Sequence, residues 1–245
     1  MKNPRIALAQ IKYFDVNSTH NLVKIKKYIK KAKQNGADII CFPESVIHKE
    51  TLEINHDKVK EIREECRKNS IWCIITHELI LKGREYNVAL LIDRNGEIKG
   101  NYKKIHLFGD DVTPGRKVRT FKTDFAKIGI VICWDAAFPK LFKEMKKKGA
   151  QIVFCPSQWW YELKAHDKKH KEREIALLRS LIMARAFENI FYVAICNPVM
   201  KSKYQVSYTG ISSPHKILAE IIGKEGLIFS DINLKEIKKL EKLYK

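Results

Sequence analysis

The sequence predicts an α/β fold built on a mixed sheet, and two patterns along the chain support this prediction. Short apolar runs with the length of buried strands alternate with charged segments whose apolar residues recur at helical spacing. Hairpin signals, such as the turn Asn95-Gly96, interrupt this alternation. Strands joined through helices pair in parallel and hairpins pair antiparallel, so both kinds of pairing are expected in one fold.

The first half of the chain contains the clearest periodicity. Apolar runs at residues 5–11, 37–42, 71–76 and 87–92 predict buried strands. Amphipathic spacing predicts helices at residues 20–33 and 58–68, and the Asn95-Gly96 turn leads into a strand at 97–102.

The second half follows a similar plan. Strands are predicted at residues 126–133, 151–155, 191–196 and 226–231, with a hairpin over 209–222. Helices are predicted at residues 140–148, 171–189 and 234–244. No sequence repeat accompanies this likeness, so the pattern does not indicate duplication.

Composition indicates a globular chain. The 245 residues contain no Pro-, Gly- or Ser-rich divider, which predicts a single domain over 1–245. Hydrophobic residues make up 45% and charged residues 31%, a balance that excludes a mostly disordered chain. No apolar run approaches the roughly 20 residues of a membrane helix, and no signal peptide is recognised, so we expect a cytoplasmic location. The six cysteines, without a C-x-x-C pair, are interpreted as thiols.

The formal charge of +19 raises the question of an anionic partner. The lysine runs are scattered over several predicted helices, which favours a solvated surface over a nucleic-acid site. His166 and His170 have the spacing of one helix face, but no third ligand accompanies them, so we predict no metal site.

Three groups of polar residues follow predicted strands, where α/β folds carry function. Glu44 follows the strand at 37–42, Cys133 ends the strand at 126–133, and Lys103 and Lys104 follow the hairpin. A carboxylate of raised pKa can deprotonate a thiol, and an ammonium can stabilise the thiolate and an oxyanion. Backbone N–H groups after the cysteine, beginning with that of Trp134, offer a further oxyanion donor.

Each of these residues also has a structural interpretation. A glutamate after a strand is commonly a surface or capping residue, and a single cysteine is commonly a small buried hydrophobe. One lysine among 47 Lys and Arg residues indicates nothing by itself. Spacing alone therefore predicts an α/β enzyme and leaves open whether the cysteine is a nucleophile or a buried structural residue.

Three segments together resemble the nitrilase superfamily of carbon–nitrogen hydrolases. Phe42-Pro43-Glu44 is similar to its glutamate segment, and residues 102–108, YKKIHLF, are similar to its lysine segment Y-x-K-x-H-L. Residues 129–135, GIVICWD, are similar to its cysteine segment. Residues 184–189, ARAFEN, and 210–214, GISSP, are lesser matches, so the resemblance covers nearly the whole chain.

The resemblance implies an αββα sandwich and a Glu-Lys-Cys triad. Cys133 would be the nucleophile, Glu44 the general base and Lys104 the oxyanion stabiliser; the spacing to His106 selects Lys104 over Lys103. The implied reaction hydrolyses an amide, carbamoyl or nitrile group of a small molecule through a thioester, without a cofactor. Family members line the pocket with the segment that here contains Ser157, Gln158, Trp159 and Trp160.

The resemblance also implies a homodimer or a larger homo-oligomer. The apolar residues of the helix at 171–189 are candidates for the contact, with packing on the protein's own sheet as the alternative: Leu177, Leu178, Leu181 and Ile182.

The sequence departs from the family pattern in two places. Many members carry a second active-site glutamate, whereas no Glu occurs here between Lys104 and Cys133; Asp110 or Asp111 is a candidate replacement. After the cysteine, the Arg and Glu of D-x-R-F-P-E are missing, and Asp135 is expected to orient the loop. These changes leave open an alternative, a catalytically reduced member that binds a metabolite or partner.

Overall fold

The computed structural model describes residues 3–12, 20–160, 168–199 and 206–244. Within these ranges, thirteen strands form two mixed sheets, of seven and six strands, and five α-helices pack around them. The predicted strands and helices are present, although many of their ends differ by a few residues.

The first sheet has a parallel centre and antiparallel flanks. Strands β1 (Arg5–Gln10), β2 (Ile39–Cys41) and β4 (Trp72–Leu81) are parallel. The strands β5 (Arg84–Ile92) and β6 (Ile98–Lys103) add antiparallel pairs on one side, and β13 (Gly226–Asp231) pairs with β1 on the other. A two-residue strand, β3 (Leu52–Glu53), pairs with β4.

The second sheet repeats this plan. Strands β8 (Lys127–Ile130), β9 (Ile152–Pro156) and β10 (Tyr192–Cys196) are parallel. The antiparallel strand β7 (Thr120–Lys122) closes one side, and the hairpin of β11 (Tyr208–Ser212) and β12 (Ile217–Ile222) closes the other.

The two sheets stack face to face between layers of helix. On β1, Ile6 and Leu8 belong to the core that the two sheets share, whereas Ala7 and Ala9 face α1 (Leu22–Gln34) and α2 (Asp57–Asn69). This separation follows from the two-residue period of a strand. The other sheet is covered by α3 (Pro139–Lys147) and α4 (Lys168–Asn189), so the αββα sandwich is confirmed.

The last helix, α5 (Leu234–Leu243), packs against the second sheet and α3. The hydroxyl of Tyr192 on β10 donates to Glu236 at 2.7 Å, and Lys146 on α3 forms an ion pair with Glu241. The C-terminal helix is therefore tied to both neighbours by polar contacts as well as by its buried Ile237.

A close approach of α3 to β8 depends on a glycine. A Cβ atom added at Gly129 would lie 2.6 Å from the sulfur of Met145, so any larger residue requires the Met145 side chain on α3 to shift. Gly129 lies four positions before Cys133, and this packing supports the segment that carries the cysteine.

Three predicted strands have ends that differ in ways that matter for the site. The strand predicted to continue to Cys133 ends at Ile130, and Cys133 begins a short 3₁₀ helix, Cys133–Ala137. β4 and β5 are longer than predicted because Lys82 and Gly83, both with positive φ (54° and 72°), form a tight hairpin turn.

Within the described ranges, no helix is both long enough and apolar enough to cross a membrane. All six cysteines are free and buried.

Candidate active site

Glu44 lies just past the end of β2 and is almost fully buried, with 3% of its surface exposed. Its Oε1 accepts hydrogen bonds from Lys104 Nζ at 2.9 Å and from Asn87 Nδ2 at 2.8 Å. Its Oε2 accepts from the backbone N–H of Gln158 at 2.8 Å. Burial raises the pKa of Glu44 above its ordinary value; the Lys104 ammonium opposes this, and Asp110 adds to it.

Lys104 follows β6 and lies between two carboxylates. Its Nζ donates to Glu44 at 2.9 Å and to Asp110 Oδ2 at 2.7 Å. Burial lowers the pKa of Lys104, but the neighbouring acidic groups of Glu44, Cys133 and Asp110 outweigh burial, and the net shift is upward. The side chain is therefore an ammonium at neutral pH.

Lys103 lies on the other face of the strand. Its Nζ lies 3.2 Å from the centroid of the Tyr86 ring and lines a separate groove. The alternation of side chains along β6 thus brings Lys104, and not Lys103, to Glu44, which is the register predicted from the spacing to His106.

Cys133 occupies a strained position at the start of the 3₁₀ helix. Its φ is +47°, in the left-handed region that non-glycine residues rarely adopt, and its side chain lines a cavity together with Glu44 and Lys104. Burial raises the pKa of the Cys133 thiol, the Glu44 charge raises it further, and Lys104 opposes both. The thiol is thus protonated at neutral pH and needs a base before it can act as a nucleophile.

Asp135 connects the lysine and cysteine segments. Fully buried, it accepts hydrogen bonds from the Tyr102 hydroxyl at 2.7 Å, the His106 backbone N–H at 2.8 Å and the Ile132 backbone N–H at 3.2 Å. These contacts hold the two segments together, as the orienting role expected for Asp135 requires.

Arg185 on α4 supports the same loop from the other side. Its guanidinium donates to the backbone carbonyls of Ala136 at 3.2 Å and Ala137 at 3.3 Å, and it pairs with Glu188 at 3.2 Å. The loop that lacks the family's Arg and Glu after the cysteine is thus held from a distant helix.

The two candidates for the second acid differ in position. Asp110 reaches Lys104 through Oδ2, which also accepts from the Phe108 N–H at 3.1 Å. Its Oδ1 lies 3.5 Å from Asn87 Nδ2. Asp111 is exposed and does not line the cavity. Only one of the two residues therefore belongs to the site.

The cavity has a volume of about 120 Å³. Gln158, Trp159 and Trp160 line it, together with Trp134. Ser157, which was predicted to bind substrate, is fully buried and is not among the residues that line the cavity, and its Oγ donates to the Cys155 carbonyl at 3.1 Å. Residues two apart along an extended chain share a face, so Ser157 points into the core beside Cys155.

Three polar residues of the site were missed by sequence reasoning. Asn87 is a buried polar residue of β5 that bonds Glu44, and Glu78 on β4 lines the cavity while accepting a hydrogen bond from the hydroxyl of Ser45. Asn87 at the head of an apolar strand was a signal in the sequence, whereas Glu78 fell beyond the predicted end of its strand.

The part of the chain that the structure describes contains no group of three or more His, Cys, Asp or Glu side chains arranged to hold a metal ion. His166 lies outside the described residues, so the expectation for the His166 and His170 pair stays a prediction.

Comparisons with known sequences agree with this geometry. The sequence model described as carbon-nitrogen hydrolase matches residues 5–242. The "Deaminated glutathione amidase" of Dictyostelium discoideum is 30% identical over 223 residues, 78% of this chain and 73% of that protein.

Solved structures have the same fold. Saccharomyces cerevisiae Nit3, a member of branch 10 of the nitrilase superfamily, superposes with a TM-score of 0.84 at 22% identity, covering 99% of this chain and 94% of its own. A variant of the amidase from Nesterenkonia sp. AN1 superposes with a TM-score of 0.81 at 19% identity, covering 100% of this chain and 97% of its own. That variant carries the acetamide moiety of fluoroacetamide covalently at its active-site cysteine.

Proposed function

Because this chain belongs to the carbon–nitrogen hydrolase family, we propose that it hydrolyses a non-peptide amide of a small molecule, with Cys133 as the nucleophile. Glu44 is the general base and Lys104 stabilises the oxyanion. Carbamoyl and nitrile groups belong to the same proposed substrate range, because each presents an electrophilic carbon bonded to nitrogen.

One observation carries this proposal. Glu44 and Lys104 come from different strand ends, are both almost fully buried, and are joined by a 2.9 Å hydrogen bond in the cavity that Cys133 lines. A buried ion pair is costly to desolvate and is weak support for stability alone. Its position beside a strained cysteine favours a chemical role.

The first half of the reaction forms the thioester. Glu44 removes the thiol proton of Cys133 as the sulfur attacks the amide carbon, and the C=O electron pair moves onto oxygen. The Lys104 ammonium and the backbone N–H of Trp134 stabilise that oxyanion. When the C=O bond re-forms, the C–N bond breaks, and the protonated Glu44 gives its proton to the departing nitrogen.

The second half releases the acid. A water molecule gives a proton to Glu44 and attacks the thioester carbon. The second tetrahedral intermediate collapses with breakage of the C–S bond, and Glu44 returns the proton to the sulfur of Cys133. For an amide, the net reaction consumes one water and yields a carboxylic acid and ammonia or an amine; a nitrile consumes two waters, because a thioimidate must first be hydrolysed to the thioester.

We assign the second-acid role to Asp110. Its contact with Lys104 supports this, because a second carboxylate favours the ammonium form and fixes its direction. Gln158 and Trp159 are the proposed substrate-binding residues, supported by their position in the cavity lining.

We further propose that residues 1–245 form a single domain, that the protein is a homodimer and that it is cytoplasmic. The family match over residues 5–242 and the core shared by both sheets support the first of these. Six free thiols support a reducing compartment.

Replacement of the nucleophile is the direct test. We expect Cys133→Ala to lose several orders of magnitude of turnover on a panel of amides, carbamoyl amines and nitriles, measured as ammonia release. Cys66→Ala, which removes a buried thiol from α2, is the control. Treatment with fluoroacetamide should label Cys133, as seen by mass spectrometry of peptides.

Retention of more than about one tenth of the activity by Cys133→Ala would exclude the covalent mechanism, since a tenfold loss is only about 1.4 kcal/mol of barrier. If the wild-type protein hydrolyses nothing on the panel, the alternative, a catalytically reduced member that binds a metabolite or partner, becomes the better interpretation. The contact of Asp110 with Lys104 weakens the main argument for that alternative, which is the missing second glutamate.

A further inference from the structure

One carboxylate in the active-site cavity has no part in the proposed reaction. Glu78 projects from β4 into the cavity that contains Glu44, Lys104 and Cys133. Lys104 bonds Glu44 and Asp110, so the two carboxylates used in the reaction share its positive charge.

The side-chain contacts of Glu78 supply no positive charge. It accepts from the Ser45 hydroxyl, and the ring of His77 lies 3.6 Å away. Burial lowers the pKa of His77 to about 4, so this ring is uncharged at neutral pH. Within the described residues the cavity therefore has three carboxyl groups and one ammonium, and burial raises the pKa of Glu78, so its ionised form lacks a compensating cation. A partly buried carboxylate of this kind is stabilised by a positive ligand.

The same cavity has an aromatic wall. The ring centroids of Trp134 and Trp159 lie 5.7 Å apart, and those of Phe108 and Trp134 lie 5.0 Å apart. Trp160 adds a further indole at the rim. Faces of indole and phenyl rings attract cations, most strongly where water is excluded.

From these contacts we propose that the substrate carries an ammonium or guanidinium group besides its amide, and that Glu78 and the aromatic wall bind this group. The inference rests on the proposed hydrolysis at Cys133 and deepens it by naming the substrate class. A carboxylate-bearing amide would meet Glu78 and Asp110 in a cavity whose described lining offers only the already paired Lys104. Such a substrate is disfavoured by like charge.

A matched series of amides tests the proposal. Pentanamide, γ-aminobutyramide and the monoamide of glutaric acid differ only in a terminal methyl, ammonium or carboxylate group; butanamide, β-alaninamide and succinamic acid form a shorter set. For the wild-type protein we expect kcat/KM for the ammonium amide to exceed that for the neutral amide by about 30-fold or more, and the carboxylate amide to be the poorest.

The variant Glu78→Gln should reduce the ratio of kcat/KM for the ammonium amide to kcat/KM for the neutral amide to about threefold or less. The carboxylate charge is lost in this variant, while the shape of the side chain is kept. Glu97→Gln, at an exposed turn, is the matched control and should leave the ratio unchanged. The wild-type comparison decides the matter even if Glu78→Gln does not fold.

Two failures are distinguishable. Cys133-dependent hydrolysis in which neutral or carboxylate amides are equal or better substrates would overturn the cation site and leave the proposed function standing. If no amide is hydrolysed, the proposed function fails, and dissociation constants of Cys133→Ala for γ-aminobutyramide and pentanamide, from ligand-observed NMR, still decide the inference. Equal constants would overturn it, and tighter binding of the ammonium amide would support it.

Discussion

At the scale of single residues, the active site depends on which of two adjacent lysines reaches Glu44. Lys104 donates to Glu44, while Lys103 covers the ring of Tyr86. We expect Lys104→Ala to lower kcat by about 10²–10³-fold, because an ammonium directed at an oxyanion acts mainly in the transition state. Lys103→Ala should leave kcat close to the wild-type value in a steady-state assay. The reverse pattern would mean that the register of the lysine segment is wrong by one residue.

The second acid gives another prediction at this scale. Asp110→Asn should reduce kcat/KM by about 10²-fold or more, and Asp111→Asn should stay within about threefold. Asp110 raises the pKa of Glu44 by its charge, so its removal lowers that pKa. Because the base must be ionised to work, the acid limb of the pH–rate profile should move to lower pH.

A purely structural role for Asp110 would lower the rate without moving this limb. If both asparagine variants keep kcat/KM within about threefold, less than 1 kcal/mol, the site works without a second acid.

Much of the site could be predicted from sequence because its main residues follow apolar strands inside recognisable segments. Glu44, Lys104 and Cys133 are brought together as the resemblance implied. Choosing Asp110 over Asp111 required the path of the loop, which no periodicity describes. Glu78 could not be predicted as a site residue from the sequence, because a charged residue late in a strand is usually solvated. Its position in the cavity depends on a neighbouring strand.

At the scale of elements, the cysteine loop depends on how closely α3 packs on β8. We expect Gly129→Ala to destabilise the protein by about 1–3 kcal/mol, because the added methyl group overlaps the Met145 sulfur. Chemical denaturation measures the change. Combining it with Met145→Ala should recover part of the loss, since the smaller side chain leaves room.

Additive effects of the two changes would show that the helix and strand do not compete for this space. In that case the approach of α3 does not fix the position of the cysteine segment.

The elements that escaped prediction are short or depend on tertiary contact. β3 and β7 have two and three residues, too few for a period to be visible. The strand expected to reach Cys133 ends at Ile130, and it could not have included Cys133 because a residue with φ of +47° cannot continue a strand. Nothing in the apolar sequence before Cys133 distinguishes these geometries.

At the scale of the whole molecule, the layer order was known only through the family resemblance. A buried apolar strand has the same sequence pattern whether a helix or a second sheet covers each of its faces. Periodicity alone therefore predicted a mixed sheet and not a sandwich.

The expected dimer contact is smaller than the sequence suggested. Leu178 and Ile182 are buried in the protein's own core, whereas Leu177 on the same helix is 49% exposed. We expect light scattering to give about twice 28.6 kDa, and Leu177→Lys to shift the population toward monomer. Leu243→Lys, at an exposed position on α5, is the control. A mass of 28.6 kDa for the wild-type protein at micromolar concentration would contradict the dimer.

The positive charge is partly concentrated. A groove of about 370 Å³ is lined by Arg84, Lys103, Arg116, Lys117 and Arg119, and none of these cations has an ion pair within the described residues. Such clustering favours the nucleic-acid hypothesis more than the sequence did. Our expectation of a solvated surface stays a prediction that salt-sensitive RNA binding would contradict.

The pairing of β1 with β13 has a consequence for the chain as it is being made. Arg5 lies opposite Asp231, so the first strand is flanked by a strand that is synthesised more than two hundred residues later. At the usual 5–20 residues per second, this edge of β1 waits roughly ten to forty seconds for its partner. Through that time the unpaired backbone groups along this edge of β1 are exposed to pairing with other chains.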